Sequence, residues 1–487
     1  MSGTSSVTCA SGFIDLATFS ELESFLYGGP LAISWFVAGV QKSNWFTIVP
    51  IQLRNIGTFG FGAEGVSASV NRSGDYVLNL WFRCEIPTLA PTVAGVAADT
   101  VRWTRNLMHN MIRKCSLSFN ELHIQEFDNY WLDFNYMFRI PENKRIGYLN
   151  MIGDVSALTT SLDPLGTVAT VVGGTTRGLY GGFYSVVLPF WINDDSGVSL
   201  PAAALPFNDI KANYEFRRAE DLLVLRGAAS IANLTALAPG VNPATGLPLS
   251  TVLSVGSVNF RSGYTYAHYA VIHGDERVKM GDAPRDMLIR QVQTVSVSDV
   301  ASTATEVVFD VRLSHSIVSM FFALRNKTQP AEWSNYTTNF DYKVQSNAAG
   351  SPGAQGGFGN ATHWDPIAHT QLIYENTVRL DSDNDFFSLI HPYLFSDAVP
   401  HETGYHMWTY SIRPWDPLAA AGSTNYSKLA NVQVRHTLSP VARFYMSNNL
   451  PVAAGTSPGV LKLANVFLAT NWNIARVANG SLGHPTM

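Results

Sequence analysis

Charge is what this chain has least of. Asp, Glu, Lys and Arg make up 14% of its 487 residues, against about 25% in an ordinary soluble domain. So little charge predicts that part of the surface is covered by other chains. The formal sum is −5, and no run of Lys and Arg stands out. The doublet Arg217–Arg218 is answered by Glu215, Glu220 and Asp221. A dedicated nucleic-acid binder carries a basic face, so direct contact with nucleic acid is not expected. Cysteine is scarce too. Cys9, Cys84 and Cys115 are odd in number and widely spaced, which gives neither a disulfide framework nor a Cys-x-x-Cys zinc pair. Long apolar runs are missing. The most apolar early stretch, 31–40, is ten residues long, half of the ~20 a membrane helix needs. The opening MSGTSSVTCASGF has neither the positive flank nor the apolar core of a signal peptide. The expectation is an intracellular, reducing environment at synthesis, without a transmembrane helix.

Catalytic motifs fail one by one. Gly60-x-Gly62-x-x-Gly65 has the spacing of a dinucleotide fingerprint, and Glu85 stands where a ribose-binding acid belongs. The residues after Gly65, VSASVNRSGDYVLNL, alternate like strands, so no helix N-terminus is there to meet a pyrophosphate. The glycines read as a turn between strands. His401 and His406 flank a glutamate, but at i and i+5 with Gly404 between them. A zinc-protease helix needs i and i+4. A polar loop entering a strand at 406–412 fits better. Asp381, Asp383 and Asp385 open like a calcium loop, yet Phe386 and Pro392 occupy the positions of its glycine and glutamate. That stretch reads as a solvated acidic turn. There is no His-x-His pair, no Gly-x-Ser-x-Gly elbow and no Walker loop. The reading is no enzyme, no cofactor and no metal.

What is abundant is aromatic side chains, at 12%, and a period of two. Tyr76, Leu78, Leu80, Phe82, Cys84 and Ile86 share one parity, as do Ile210, Ala212, Tyr214 and Phe216. Val307, Phe309, Val311 and Leu313 follow, then Val432, Val434 and Leu438, and finally Val466, Leu468, Trp472 and Ile474. Each pattern predicts a strand with one apolar face. Helical signals are few. Thr18 to Glu21 has the capping-box form, with Phe19, Leu22, Phe25 and Leu26 following and Gly28–Gly29 as the stop. Trp103, Leu107 and Met111 suggest a second helix. Long stretches rich in Gly, Ser, Thr, Ala and Pro cover 87–99, 156–182, 227–257 and 347–360. Loops of that length are functional or flexible. The expected fold is all-β, two tandem jelly-roll β-sandwich domains with a few short helices. The expected division is an N-terminal segment 1–30, a first roll 31–226, a linker 227–258, and a second roll 259–487 with the C-terminal tail.

One segment is more specific. Residues 417–432 read PLAAAGSTNYSKLANV. It resembles the C-terminal signature of the major capsid proteins of large icosahedral double-stranded DNA viruses. SGFIDLATFSELESFLYGG (11–29), RSGDYVLNLWF (72–82), RWTRNLMHNMIRKCSLSFNE (102–121), LPFWINDDSGVSLPAAALPFNDIK (188–211), HGDERVKMGDAPRDMLIRQVQ (273–293), YENTVRL (374–380) and NIARVANGSLG (473–483) resemble the same family in the same order. The flavour is that of iridoviruses and marseilleviruses. The resemblance implies a double jelly roll whose homotrimer forms a pseudo-hexagonal capsomer. Its partners would be neighbouring capsomers, minor capsid and penton proteins, and the virion's internal membrane, with the N-terminal segment on the inner side.

Three sets of contact residues follow. Phe13, Ile14, Leu16, Phe19, Leu22, Phe25 and Leu26 are expected to anchor the inner face to the membrane or a minor capsid protein. Asp15, Glu21 and Glu23 with no cation argue against electrostatic attraction to anionic lipid. Gly422, Asn425, Ser427 and Lys428 are expected to build a structural turn that pins a long connection. Trp333, Tyr336 and Trp364 offer rings for a glycan or receptor. They carry the rival reading of a carbohydrate- or receptor-binding β-sandwich.

Overall fold

The computed structural model describes residues 9–30, 32–36, 39, 42–87, 101–154, 181–225, 259, 261–282, 284–339, 364–448 and 460–484. The four long loop stretches, and with them the 227–258 linker, lie almost wholly outside those residues. The chain forms two compact units, Met1–Trp45 and Phe46–Met487. In the first, Cys9–Ala17 and Glu21–Leu26 are helices. Ser20 caps the second helix in a reciprocal capping box with Glu23. The cap therefore sits two residues later than the Thr18–Glu21 spacing suggests. Thr18 closes the preceding helix instead, its hydroxyl donating to the Asp15 carbonyl at 2.7 Å.

The second unit is built of antiparallel sheets in two sandwiches. In one, Phe46–Gln52, Ser262–Ile272, Tyr76–Ile86 and Gly182–Val187 lie side by side in that order. They face Arg54–Ile56, Val66–Ser69, Ile210–Phe216, Ile112–Phe119 and Leu122–Asp128. Phe82 meets Tyr214 and Phe216 across the gap, with ring centroids 5.4 and 5.3 Å apart. In the other sandwich, Arg285–Asp299, Leu463–Ala478, Ser316–Asn326 and His406–Thr409 form one sheet. Glu306–Asp310, Val432–Leu438, Ile367–Tyr374 and Thr377–Asp383 form the other.

Strand pairing shifts the expected division. Ser262–Ile272 follows the linker yet completes the first sandwich, between Phe46–Gln52 and Tyr76–Ile86. The crossover to the second sandwich is the helix Gly274–Asp282. The pairing thus runs across the boundary expected at 259, because Ser262–Ile272 has two strand neighbours waiting in the first roll.

Two strands alternate as the sequence predicts: Ile210–Phe216 and Val432–Leu438 bury every second residue. Tyr76–Ile86 does so only from Leu80 onward. A register shift opposite His268 and Tyr269 leaves Leu78 without a partner. Val77 is therefore buried while Tyr76 and Leu78 lie at the margin, as an extra residue in one strand requires. Leu463–Ala478 is different in kind. Its residues from 463 to 473 are buried on both faces. Val466 and Leu468 enter the first core, whereas Leu463, Phe467 and Ala469 enter the second. Ser316–Asn326 divides likewise, with Phe321 and Ala323 on one side and Met320, Phe322 and Leu324 on the other. Ile474 lies past the end of the pairing with Ser316–Asn326 and is exposed.

The helix Asn129–Arg139 fills the space between the first sandwich and this shared sheet. Asp128 caps it by accepting from the Trp131 N–H at 3.0 Å, and every residue from Asn129 to Phe138 is buried. Its polar Asn129, Asp133 and Asn135 are buried along with its apolar residues, so no face of it turns to water, and the partners that cover it are distant in sequence. The Trp103–Met111 pattern splits: Trp103 ends a short strand, and only Leu107–Met111 is helical. Residues 381–383 end the strand Thr377–Asp383, and 384–385 begin a helical turn, so the stretch is not a free turn.

Phe321 is the keystone of the shared sheet. Its ring lies 5.4 to 5.9 Å from those of Trp131, Phe134, Phe138 and Trp415. Phe321→Ala should cost about 3–5 kcal/mol. Calorimetry should show one transition at a lower temperature. Two transitions with only one displaced would mean that the sandwiches are energetically separate.

The second core also holds neutral histidines. His436 is fully buried, 3.0 Å from the Thr370 hydroxyl and stacked on Phe322. Burial, aided by nearby His406, pushes its imidazole down to about 3. Burial also pushes His391 down to about 4. Unfolded, both titrate near 6.5. The unfolded chain then binds the extra protons, so this stability is full above pH 6.5 and is lost as the pH falls toward 4 and then 3, by about 1.4 kcal/mol per unit per group. Asp128, pushed up to about 6 by burial, works the other way but is one group against two. The melting temperature should therefore fall from pH 7 to pH 4, and His436→Gln should flatten the decline. A flat wild-type profile would contradict the assignment.

Candidate assembly and signature sites

Two buried polar clusters tie the sandwiches together. Arg105 follows the strand Val101–Trp103 and forms a bidentate pair with Glu402, at 3.1 and 2.5 Å. Burial alone would push the Glu402 carboxyl up. The Arg105 guanidinium and His401 together outweigh it, and the carboxyl sits below its ordinary value. The 401–406 segment is thus an inward-facing clamp, and His406 beside it pairs with Asp365 at 2.8 Å. The second cluster centres on Asp133 of the buried helix. It accepts from Asn106 (3.0 Å), Ser334 (2.6 Å) and Tyr336 (3.1 Å), and His109 Nδ1 lies 2.8 Å away. Asn106 and His109 belong to the first sandwich, Ser334 and Tyr336 to a loop of the second.

The Gly60–Gly65 turn joins the paired strands Arg54–Ile56 and Val66–Ser69, with Gly62 and Gly65 at φ of +74° and +67°. These glycines make a hairpin, which is the strand–turn–strand reading.

In the 422–428 segment, Gly422 has φ of +133°, and a Cβ there would stand 2.4 Å from the Tyr410 carbonyl oxygen. Thr424–Asn425 pairs with Ser316 and Ile317. The Asn425 side chain accepts from the Ser427 N–H at 3.0 Å, and the Ser427 hydroxyl accepts from the His315 N–H at 2.9 Å. Tyr426 turns inward. Its hydroxyl meets those of Tyr374 (3.1 Å) and Tyr410 (3.0 Å). Lys428 is exposed. Tyr426, Tyr374, Tyr410 and His315 are absent from the sequence-derived set. Only the presence of a tyrosine inside the signature hinted at them.

Residues 276–483 match the family described as large eukaryotic DNA virus major capsid protein, and residues 34–253 match the major capsid protein N-terminus. The major capsid protein of Wiseana iridescent virus is 43% identical over 484 residues, covering 98% of this chain and 93% of that protein. That of Frog virus 3 is 35% identical over 492 residues and covers all of both chains.

This chain belongs to the major capsid protein family of large eukaryotic DNA viruses.

Its fold is the double jelly roll of that family. The PBCV-1 virus capsid superposes with a TM-score of 0.66 at 17% identity, covering 93% of this chain and all of that one. The Faustovirus major capsid protein superposes with a TM-score of 0.66 at 10% identity, covering 94% of each chain.

Of the expected contact residues of this capsid-family chain, Phe13, Ile14, Leu16, Phe19, Leu22, Phe25 and Leu26 are all exposed, from 59% to 88%. Residues 1–30 hold no Lys, Arg or His. No helix among the described residues is long and apolar enough to cross a membrane. The glycan residues need correcting. Tyr336 is 1% exposed and its hydroxyl is committed to Asp133, so it offers no face to a sugar. Trp333 is covered on its ring by the guanidiniums of Arg217 and Arg325, at 3.7 and 3.9 Å. Trp364 is half-buried and its carbonyl accepts from the Thr338 N–H. The loop turned inward because its polar groups find partners in the first roll, which sequence distance hides.

Asn425→Leu removes the acceptor for the Ser427 N–H. It should lower the melting temperature by the equivalent of about 1 kcal/mol, measured by scanning fluorimetry. Gly422→Ala should do more damage, because the added methyl group meets backbone. An unchanged melting curve in both would remove the turn from the structural account.

Proposed function

We propose that the protein is the shell subunit of a large icosahedral virion, acting by assembly and not by catalysis. Three copies, each supplying two rolls, form a capsomer of near-sixfold outline, and capsomers tile the shell. The observation that carries this reading is apolar surface left uncovered on a chain whose relatives are major capsid proteins along their whole length. Ile48, Phe183, Val187 and Tyr264 are exposed on the outer sheet of the first roll. Leu394 and Ile412 are exposed at a shallow cleft beside Pro414 and Trp415 in the second. Large apolar side chains left exposed across one sheet face are what a covered interaction surface supplies. Obligate interfaces bury about 2,000–5,000 Å², which would cover both patches.

The apolar side chains from Phe13 to Leu26 serve as an inner-face anchor to a minor capsid protein or the internal membrane. With acidic residues and no cation, membrane contact there rests on apolar burial alone. The signature turn 422–428 holds the long connection after His406–Thr409 against the shared sheet. Assembly takes place in the host cell, with penton and minor capsid proteins as partners. A sugar-binding role loses its support, since Tyr336 is internal.

One chain is 53.2 kDa. Light scattering behind a sizing column should give about three times that mass, ~160 kDa. Stable monomers at micromolar concentration would contradict the capsomer. Deletion of residues 1–29 should leave the trimer but abolish particle formation. Normal particles would refute the anchor while leaving the shell role standing.

A further inference from the structure

Where the two rolls meet, a cleft of about 640 Å³ is lined by five cationic side chains, Arg113, Arg217, Arg218, Arg325 and Lys327, and by two acidic ones, Glu64 and Asp221. That local balance of +3 stands out in a chain of net charge −5. Gly62 of the glycine turn and Trp333 complete the wall.

The cations are of two kinds. Those at the rim are matched: Arg113 pairs with Glu64 and Glu215, Arg218 with Asp221, and Lys327 with Asp299. The two at the back are not. Arg217 and Arg325 are 8% and 4% exposed; among the described residues no carboxylate lies within ion-pair distance of either, and Asp128 and Asp221 act on Arg217 only from further off. Arg217 donates to the Asn110 carbonyl (2.7 Å) and to Asn129 Oδ1 (2.9 Å). Arg325 donates to the Tyr130 hydroxyl (3.2 Å) and the Pro330 carbonyl (2.9 Å), and its Nε is buried without an acceptor. Their guanidiniums both stack on the indole of Trp333. Cation–π contact offsets part of the cost of burying them. It does not neutralise two like charges withdrawn from water, which remain expensive without a counter-charge. Arg217 is pushed down by burial only to about 10, so it keeps its charge at neutral pH.

We propose that this cleft binds a phosphate-class anion, which supplies the close counter-charge that Arg217 and Arg325 lack. Guanidinium forks suit phosphate oxygens, and the cleft is roomy enough for pyrophosphate or a small organic phosphate. Since the site draws on the 62–64, 113 and 216–221 segments of the first roll and on 325–333 of the second, its occupant would fasten the seam between the rolls. The inference does not depend on the shell role.

The test uses the full-length protein with pyrophosphate as the probe. Melting temperature and titration calorimetry are measured at constant ionic strength, with chloride and citrate as controls. The expected result is a melting temperature that climbs with pyrophosphate concentration and is insensitive to citrate. Arg218→Ser combined with Lys327→Ser removes two exposed rim charges. It should leave the melting temperature in chloride unchanged and weaken pyrophosphate binding by about a hundredfold, tenfold for each charge-assisted contact. Arg476→Ser, which breaks a distant surface pair with Asp286, should bind as the wild type does. If the double variant does not fold, Arg218→Ser alone should show the tenfold loss. The proposal is overturned if pyrophosphate gives no shift beyond chloride, if citrate shifts the transition equally, or if the rim variants bind as tightly as the wild type.

Discussion

The sheet Arg285–Asp299, Leu463–Ala478, Ser316–Asn326 and His406–Thr409 is a wall with a core on each side. Most sandwich sheets turn one face to solvent and alternate accordingly. This one cannot, because the first roll and its buried helix lie against the face that would have been wet. Side chains of either parity are therefore mostly apolar, and the polar ones are held inside the sheet. Leu463–Ala478 does so with Leu, Val, Phe and Ala, and with Asn471 and Asn473 held by Gln291. A single mutation in the wall touches two cores, and this is why the rolls should melt together.

Apolar packing alone sets distance but leaves rotation loose, and the polar clusters remove that freedom. Arg105 with Glu402, and Asp133 with its ring of donors, join residues more than 200 positions apart in sequence. Each such contact is directional, and each would leave a buried charge or donor stranded if the rolls slid. Buried ion pairs add little net stability beside an apolar alternative, but they penalise the wrong arrangement. Here that penalty fixes the angle between the rolls.

Legibility in the sequence follows the environment. Ile210–Phe216 and Val432–Leu438 face one core and water-side neighbours, so their alternation reads cleanly. Phe134 and Trp131 lie on a helix whose polar Asn129, Asp133 and Asn135 are buried along with its apolar residues, so its setting is decided by partners far away in sequence. Tyr76 and Leu78 keep the right parity on paper, but the bulge inverts their faces, and a bulge has no signature in one strand alone. Trp333 and Tyr336 read as loop aromatics because Arg217, one of the two guanidiniums on Trp333, and Asp133, the partner of Tyr336, are more than 100 residues away. The signature turn was legible at Gly422 and Asn425, whose bonds are local, and illegible at Tyr426, whose partners lie on other strands. Local chemistry survives in the string; tertiary chemistry does not.

The fused wall also bears on the proposed lattice. A capsomer with a near-sixfold outline made from three subunits needs the two rolls of each subunit to behave as successive members of one ring. A flexible tether would let each roll find its own angle, and errors would accumulate from one capsomer to the next. A shared sheet makes the angle a property of packing, and close-packed interiors resist small rotations because the alternative positions clash. The same rigidity limits where a subunit can adjust to its position in the shell. The core and seam are committed, so adaptation is left to side chains outside them, such as those of the exposed apolar patches. Constancy within and variability at the edges then follow from a single decision, that of placing one sheet between two cores.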